Sequence, residues 1–406
     1  PSSPAEGWAN LTTRVFYSEL LLHRSAMYTR CIDSNLESGR YISRVGWARG
    51  FLSLFLPTVP TVRYLRYLRY RTGGRNGRNH CPSQRGAAFL NMAAPDAASA
   101  PKIIPFAALE AGDADACAAV VEAWKAGVAC VVRLADRAVL RGLWKGSAAG
   151  LATADTWPLE RLGGLEVGHR QHGARDFLET RAICDEVRPP LGDGVRCAFD
   201  HLERCARAAL KAACGPLGAA PETLLNLLDE PGRPKLSASV LRLCRYVAPA
   251  GEPRKRVCFG AHTDTTFCTA APCAATPGLE VLDHGTWTSP ERGRDSGTDV
   301  LVFCGEFLQV LSKSFYEAAV HRVALTAGAA ESVRYSAPFL LRARRDATIV
   351  PVAAVAGGPP PRLLDLPGLS MAKFHRFLEL RRRKLVQEHA QSNDDSDDSD
   401  TGFILK

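Results

Sequence analysis

The chain has 406 residues, of which 46% are hydrophobic and 23% are charged, as is usual for a globular protein with one large or two smaller domains. No apolar run reaches the roughly 18 residues that a membrane-spanning helix needs, so no membrane span is expected. The thirteen cysteines are scattered and form no Cys-x-x-Cys pair, which argues against a disulfide framework and against a zinc site. We therefore expect reduced thiols and an intracellular protein, in the cytoplasm.

The net charge of +9 comes entirely from the first part of the chain. Residues 1–91 contain thirteen Arg, no Lys and four acidic residues, whereas the rest contains 38 basic and 38 acidic residues. A body without net charge does not supply the basic surface that nucleic-acid binding requires. We expect no nucleic acid as a partner of the globular body.

Residues 1–100 are predicted to be a basic, disordered extension, and three interpretations stay open. An Arg-rich, acid-poor leader is typical of an organelle transit peptide, which would place the protein in an organelle. The repeat at Tyr64–Arg71 could contact RNA or anionic lipid. The interpretation that we favour is translated sequence upstream of a natural start, because Met92-Ala-Ala-Pro resembles the beginning of a protein.

Residues 101–235 are predicted to form an N-terminal region with support helices. Asp113 or Asp115 can cap a helix, and Gly127–Val132 reads as a strand. The stretch Val195–Cys214 has apolar residues at helical spacing and ends before a Gly-Pro stop signal. It predicts a long helix packed against the core.

A Gly-rich stretch within this region, residues 163–173, contains two histidines. His169 and His172 are potential metal ligands, but no carboxylate accompanies them at ligand spacing. The composition of the stretch therefore predicts a solvated loop.

Short strand-like segments fill residues 236–350. They are Pro277–Leu282, Thr298–Cys304, Leu308–Leu311 and Ser332–Leu341, rich in β-branched or alternating apolar residues and separated by turn signals. Such a series predicts a protein that is mainly β with flanking helices, around a double-stranded β-helix core of the jelly-roll, cupin-like type.

This core contains a His-x-Asp…His pattern. Residues two apart on a strand point the same way, so His262 and Asp264 are expected to share one face, while His321 returns on another strand. Two imidazoles and one carboxylate form the facial triad of non-haem iron(II) sites, which leaves metal positions open to other ligands. We predict that these three residues bind the metal at the catalytic centre. Arg322 should point away from His321 and form a structural ion pair.

Other landmarks surround this pattern in order: Leu241-Arg-Leu-Cys-Arg-Tyr246-Val-Ala-Pro249, then Gly278-Leu-Glu-Val281, and finally Arg334-Tyr-Ser336. Together they resemble the iron(II)- and 2-oxoglutarate-dependent dioxygenases of the isopenicillin N synthase-like superfamily. The resemblance covers about residues 101–385. Within the first landmark, Cys244 stands where the family usually has Asn.

The resemblance implies iron(II) as cofactor and 2-oxoglutarate and O₂ as co-substrates. Arg334 would hold the distal carboxylate of 2-oxoglutarate as a planar, permanently charged donor. The Ser336 hydroxyl would be a second donor, and the Tyr246 phenol would also reach the co-substrate.

The reaction implied by the resemblance is hydroxylation or desaturation of a small organic substrate, with release of succinate and CO₂. Two alternatives stay open: an iron-dependent oxidase that does not use 2-oxoglutarate, and a jelly-roll binding protein without turnover. A monomer is expected.

The C-terminal part is predicted in two pieces. Residues 351–390 read as a loop followed by a helix from Met371 to about His389, capped by Ser370. Residues 391–406 are rich in Asp and Ser and predict an acidic, disordered tail.

Overall fold

The computed structural model describes residues 102–172, 175–230, 235–251, 255–326, 331–352 and 355–380. The predictions for residues 1–100 and 391–406, and for the part of the C-terminal helix after residue 380, lie outside these ranges. In the described part, no helix combines the length and the apolar character that crossing a membrane requires. All eleven cysteines of these ranges are free thiols.

The elements alternate between helices and strands before residue 235 and are mainly strands after it. The helices are α1 (Phe106–Ala111), α2 (Ala114–Lys125), α3 (Arg137–Ala152), α4 (Asp193–Cys214), α5 (Glu222–Leu225) and α6 (Glu306–Leu311), and residues 371–380 are also helical. The strands are β1 (Ile103–Pro105), β2 (Cys130–Arg133), β3 (Glu160–Leu162), β4 (Leu165–His172), β5 (Arg175–Ile183), β6 (Glu186–Arg188), β7 (Val240–Ala248), β8 (Lys255–His262), β9 (Cys268–Pro272), β10 (Leu279–Asp283), β11 (Thr286–Thr288), β12 (Asp299–Cys304), β13 (His321–Thr326), β14 (Ser332–Ser336) and β15 (Phe339–Leu341).

The strands form two sheets that enclose a common interior. The major sheet has the order β1-β2-β12-β9-β15-β7-β5-β4-β3, with β14 beside β7 and β6 beside β5, and the minor sheet has the order β11-β10-β13-β8. Phe177 and Tyr246 of the major sheet pack with Val323 and Leu325 of the minor sheet in one buried cluster. The predicted fold class, mainly β with flanking helices around a jelly-roll core, is confirmed.

Helix α4 covers the other face of the major sheet, as its apolar spacing predicts. Its buried side chains form a continuous core with Leu241 and Leu243 of β7. The ring of Phe199 meets that of Phe339 edge to face, with centroids 5.0 Å apart. At the start of α2, the Asp113 carboxylate accepts a hydrogen bond from the Ala116 amide at 2.9 Å, so Asp113 is the cap of the two candidates.

Two local predictions are wrong. Leu308–Leu311 is helical rather than extended, because the buried side chains of Phe307, Leu308 and Leu311 recur at helical spacing. Residues 165–172 are not a loop but form β4, which pairs with β3 in its first part and with β5 from Gly168 to His172. Gly168 permits that strand with a φ of 104°, and a Cβ there would lie 2.2 Å from the Pro158 carbonyl oxygen.

The C-terminal helical segment joins the core behind α6. The His375 ring stacks on that of Phe307 with centroids 5.1 Å apart and planes 8° from parallel. Burial, together with the positive charges of Arg342 and Arg345, lowers the pKa of His375 to about 4. The imidazole is therefore neutral in the folded protein at neutral pH.

This packing can be tested through the pH dependence of stability. The His375 imidazole protonates near pH 6.5 in the unfolded chain but only near pH 4 in the folded protein, so stability falls as the pH drops from about 6.5 towards about 4. At about 1.4 kcal/mol per pH unit, the loss at pH 5 is up to about 2 kcal/mol. We expect His375→Gln to lose correspondingly less stability between pH 7.5 and pH 5 in denaturant unfolding. His284→Asn, at an exposed histidine, is the control, and an unchanged pH dependence in His375→Gln would contradict the packing.

Candidate active site

Strand pairing brings the two histidines of the His-x-Asp…His pattern together. His262 is the last residue of β8, His321 is the first residue of β13, and the two are partners in the antiparallel register. The chain then turns, and the carbonyl oxygen of Asp264 accepts a hydrogen bond from the Glu306 amide at 2.7 Å. This bond fixes the turn after β8 against the start of α6, which holds the Asp264 carboxylate beside both imidazoles.

The three side chains offer ligand atoms at distances that one metal ion can bridge. Asp264 Oδ1 lies 3.7 Å from His262 Nε2, and Asp264 Oδ2 lies 3.8 Å from His321 Nε2. The ligand atoms of the three residues lie within 4.8 Å of one another. Among the described residues, His262, Asp264 and His321 are the group of His, Cys, Asp or Glu side chains that lie close enough together to hold one metal ion.

Backbone hydrogen bonds set the imidazole orientation. His262 Nδ1 lies 2.9 Å from the Gly260 carbonyl oxygen, and His321 Nδ1 lies 3.0 Å from that of Ala319. Since a carbonyl only accepts, the hydrogen-bond network assigns the proton to Nδ1 in both rings and leaves both Nε2 lone pairs facing Asp264. Metal-binding histidines are oriented by this kind of bond.

The carboxylate is held in its ionised form. Burial by itself would raise the pKa of Asp264, but the positive charge that His321 and His262 carry when protonated, and the hydrogen bond from Thr269, lower it overall. The Thr269 hydroxyl donates to Asp264 Oδ2 at 2.6 Å. Two neutral imidazoles and one anionic oxygen donor are a set that suits iron(II), so these residues fit that metal.

Arg334 lies in the same interior and is only partly satisfied. It is opposite Tyr246 in the register of β14 and β7, and its side chain is 2% exposed. Its Nη2 donates to Glu291 Oε1 at 2.7 Å, whereas Nε and Nη1 are buried without a protein hydrogen-bond partner. Unpaired buried donors cost about 1–3 kcal/mol each, and a bound carboxylate would satisfy them. Arg334 therefore fits 2-oxoglutarate.

A glycine and a glutamate position this arginine. A Cβ on Gly278 would lie 2.7 Å from Arg334 Cδ, so the guanidinium can occupy its place because no side chain stands there. Glu291 accepts four hydrogen bonds, from Arg334 and from the backbone amides of Ala274, Gly278 and Leu279, at 2.7 to 3.1 Å. Glu291 thus fixes one end of the guanidinium and leaves the rest facing the interior.

Ser336 and Tyr246 lie beside Arg334 on the neighbouring strands β14 and β7. Ser336 is buried and pairs with Cys244 across the strands. The Tyr246 ring centre lies 5.6 Å from the guanidinium carbon of Arg334, and burial raises the pKa of its phenol. The sequence motifs included all of these residues except Glu291, which lies in a polar turn and carries no recognisable pattern.

Arg322 points away from the site, as strand alternation predicts. It donates to Glu280 at 2.8 Å, and its guanidinium carbon lies 4.1 Å from the centre of the Trp287 ring. The predicted structural ion pair is confirmed.

Comparison with known proteins places this site in a family. Residues 238–343, which contain the three candidate ligands and Arg334, match the model of the 2OG-Fe(II) oxygenase superfamily. A stretch of 145 residues is 28% identical to gibberellin 20 oxidase 5 of Arabidopsis thaliana and spans 34% of each chain. The aligned part is thus about a third of that relative's length.

Two solved structures share the fold. One is a 2OG-Fe(II) oxygenase family protein from Caulobacter crescentus, with a TM-score of 0.52 and 20% identity over 70% of this chain and 99% of that one. The other is a full-length Neurospora crassa protein in complex with alpha-KG, with a TM-score of 0.51 and 17% identity over 68% of this chain and 94% of that one. These structures show the fold, while residues 238–343 match the 2OG-Fe(II) oxygenase superfamily, which confirms the resemblance noted in the sequence.

The hydrogen bond from Thr269 to Asp264 predicts the behaviour of two variants. Thr269→Val keeps the side-chain shape but removes the donor, and loss of such an outer partner typically weakens metal binding by about 10–100-fold. Thr269→Ser keeps the hydroxyl and should bind iron(II) nearly as tightly as the wild type. Anaerobic competition with a coloured chelator measures both affinities. Equal affinity of Thr269→Val and wild type would contradict the proposed role of this bond.

The buried pair of Arg334 and Glu291 predicts a large loss of stability in Glu291→Gln. The variant leaves the guanidinium without its counter-charge and places an amide among four donors, so we expect a loss of about 3–5 kcal/mol in denaturant unfolding. Glu122→Gln breaks an exposed pair with Lys125 and should cost no more than about 1 kcal/mol. Similar losses in the two variants would show that the buried pair is not a structural requirement.

Proposed function

We propose that the protein is a non-haem iron(II)- and 2-oxoglutarate-dependent dioxygenase that hydroxylates or desaturates a small organic substrate. The observation that carries the proposal is the convergence of three metal-ligand side chains and an incompletely bonded, buried arginine in one interior. When bound, iron(II) with 2-oxoglutarate and O₂ supplies the oxidation of a substrate C–H bond, and 2-oxoglutarate leaves as succinate and CO₂. In hydroxylation, one oxygen atom of O₂ enters succinate and the other enters the product.

The first task of the protein is to bind the metal ion and to leave some of its coordination positions open for other ligands. His262, Asp264 and His321 provide three ligands, and the Nδ1 bonds to backbone carbonyls keep both rings in the productive orientation. One anionic ligand leaves iron(II) with a net positive charge, which favours a chelating keto acid. The ring centres of Phe259 and Phe303 lie 4.2 and 4.9 Å from those of His262 and His321, so each imidazole packs against one aromatic ring.

The second task is to hold the co-substrate by its far end. In this proposal, the free Nε and Nη1 of Arg334 donate to the distal carboxylate of 2-oxoglutarate, and the Ser336 hydroxyl and the Tyr246 phenol are further donors. Glu291 keeps the guanidinium from rotating. A charge-assisted bond in a buried site is stronger than one in water, which supports Arg334 as the main anchor.

We also propose that the protein is cytoplasmic and monomeric. The free thiols of the described ranges suit a reducing, cytoplasmic compartment. A monomer is consistent with a site whose candidate residues all come from one chain. The expected partner is the small-molecule substrate.

An anaerobic titration tests the proposal directly. We expect the wild type with iron(II) to develop a visible metal-to-ligand charge-transfer band on addition of 2-oxoglutarate, and to form succinate after exposure to O₂. His262→Ala should lose iron and the band together. Arg334→Gln should keep iron but need at least about ten-fold more 2-oxoglutarate for half of the band, since it lacks a charge-assisted hydrogen bond worth about 1.5–3 kcal/mol.

Arg322→Gln provides the control, because this arginine neighbours a candidate ligand but pairs on the outer face with Glu280. It should titrate like the wild type. A wild type that binds iron(II) without forming the band, or a His262→Ala variant that still forms it, would refute the proposed function.

A further inference from the structure

We propose that Arg175 anchors the substrate, and that the substrate carries a carboxylate which binds this guanidinium beside the metal centre. The inference rests on the proposed function and specifies its substrate class. It assigns a role to a residue of β5, outside the motifs around the metal and the co-substrate.

Arg175 reaches the interior next to one of the candidate metal ligands. Its guanidinium carbon lies 3.9 Å from the centre of the Phe259 ring and 4.5 Å from that of Phe177. The Phe259 ring is in turn 4.2 Å from the His262 ring. One aromatic ring therefore separates the guanidinium from an imidazole of the metal site, a distance that a small organic molecule can span.

The arginines around Arg175 already have counter-charges. Arg242 pairs with Glu179, Arg170 with Glu166, Arg245 with Asp176 and Arg334 with Glu291, at 2.5 to 3.0 Å.

Arg175 differs from them. It makes no ion pair within the described part of the chain, and its Nε is buried without a hydrogen-bond partner. A charged group that packs on two phenylalanine rings and has a buried, unbonded nitrogen is costly unless it is paired. A ligand that supplies a negative charge would offset that cost.

The aromatic contacts leave the guanidinium ready for such a ligand. Contact with the rings of Phe259 and Phe177 stabilises the cation through its flat surface, while the N–H groups lie in the plane of the guanidinium and stay available. A carboxylate is planar, singly charged and matched to two such donors. One arginine flanked by phenylalanines suits this group better than a phosphate, whose higher charge needs more donors.

The anchor is separate from the place proposed for the co-substrate. Arg334 and Arg175 are both opposite Tyr246, but from β14 on one side of β7 and from β5 on the other. Their backbones are therefore two strand spacings, roughly 10 Å, apart. Arg175 would therefore bind a different anion from the one proposed for Arg334. The carbon chain of a substrate bound there would extend past Phe259 towards the metal ligands.

Paired probes test the inference. A panel of small aromatic and aliphatic carboxylic acids, each matched with its primary amide and including 3-phenylpropanoate and 3-phenylpropanamide, is titrated anaerobically into enzyme loaded with iron(II) and 2-oxoglutarate. In calorimetry, we expect wild type to bind acids at least ten-fold more tightly than their amides. Arg175→Gln should lose at least ten-fold in acid affinity with little change for the amides, and Arg175→Lys should be intermediate.

Arg170→Gln is the matched control, because Arg170 lies on the same wall but already pairs with Glu166; it should keep the preference for acids. Acids and amides that bind wild type equally, or not at all, would overturn the inference, as would an unchanged preference in Arg175→Gln. If Arg175→Gln instead weakened the charge-transfer titration with 2-oxoglutarate, Arg175 would serve the co-substrate and the inference would also fall. Failure of the proposed function would be recognised separately, because the wild-type protein with iron(II) would then form no charge-transfer band on addition of 2-oxoglutarate.

Discussion

The antiparallel register of β8 and β13 is the constraint on which the candidate site depends. It makes His262 and His321 direct neighbours, although nearly sixty residues of chain separate them. A slip by one residue would turn one imidazole to the outer face of the sheet. The ion pairs that Glu280 forms with Arg322 and with Lys255 lie on that outer face, so they support the register from the side opposite the metal ligands.

Arg334 shows how a buried charge can be paired while part of its hydrogen-bonding capacity stays unused. Glu291 pairs with one nitrogen of Arg334 and is itself held by three backbone amides. The pair makes the charge tolerable in the folded protein, while the two remaining nitrogens keep their hydrogen-bonding capacity. A fully satisfied arginine would have no donor left, and an unpaired one would destabilise the fold.

The site residues with a strong local pattern could be predicted from the sequence, and those set by tertiary contact could not. The outward direction of Arg322 and the helix ending at Cys214 follow from strand or helix periodicity. The His-x-Asp pattern identified the candidate ligands, although Asp264 lies in the turn after β8 and not on the strand. Leu308–Leu311 was too short for its helical spacing to be told from a strand. Glu291 contacts Arg334 and Arg175 contacts Phe259, both distant in the chain, and neither Glu291 nor Arg175 lies in a motif. Strand β4 could not be predicted from the sequence, because glycine and histidine are poor indicators of a strand.

The apolar core and the candidate metal ligands lie on different sheets, and Arg175 is part of neither. The major sheet and its helices hold most of the apolar core, whereas the candidate metal ligands His262 and His321 lie at the ends of minor-sheet strands and Asp264 lies in the turn after β8. Arg175, on β5 of the major sheet, belongs to neither the core nor the metal centre. With the role that we propose for Arg175, an exchange at this position would alter which substrates bind without replacing a candidate metal ligand or Arg334.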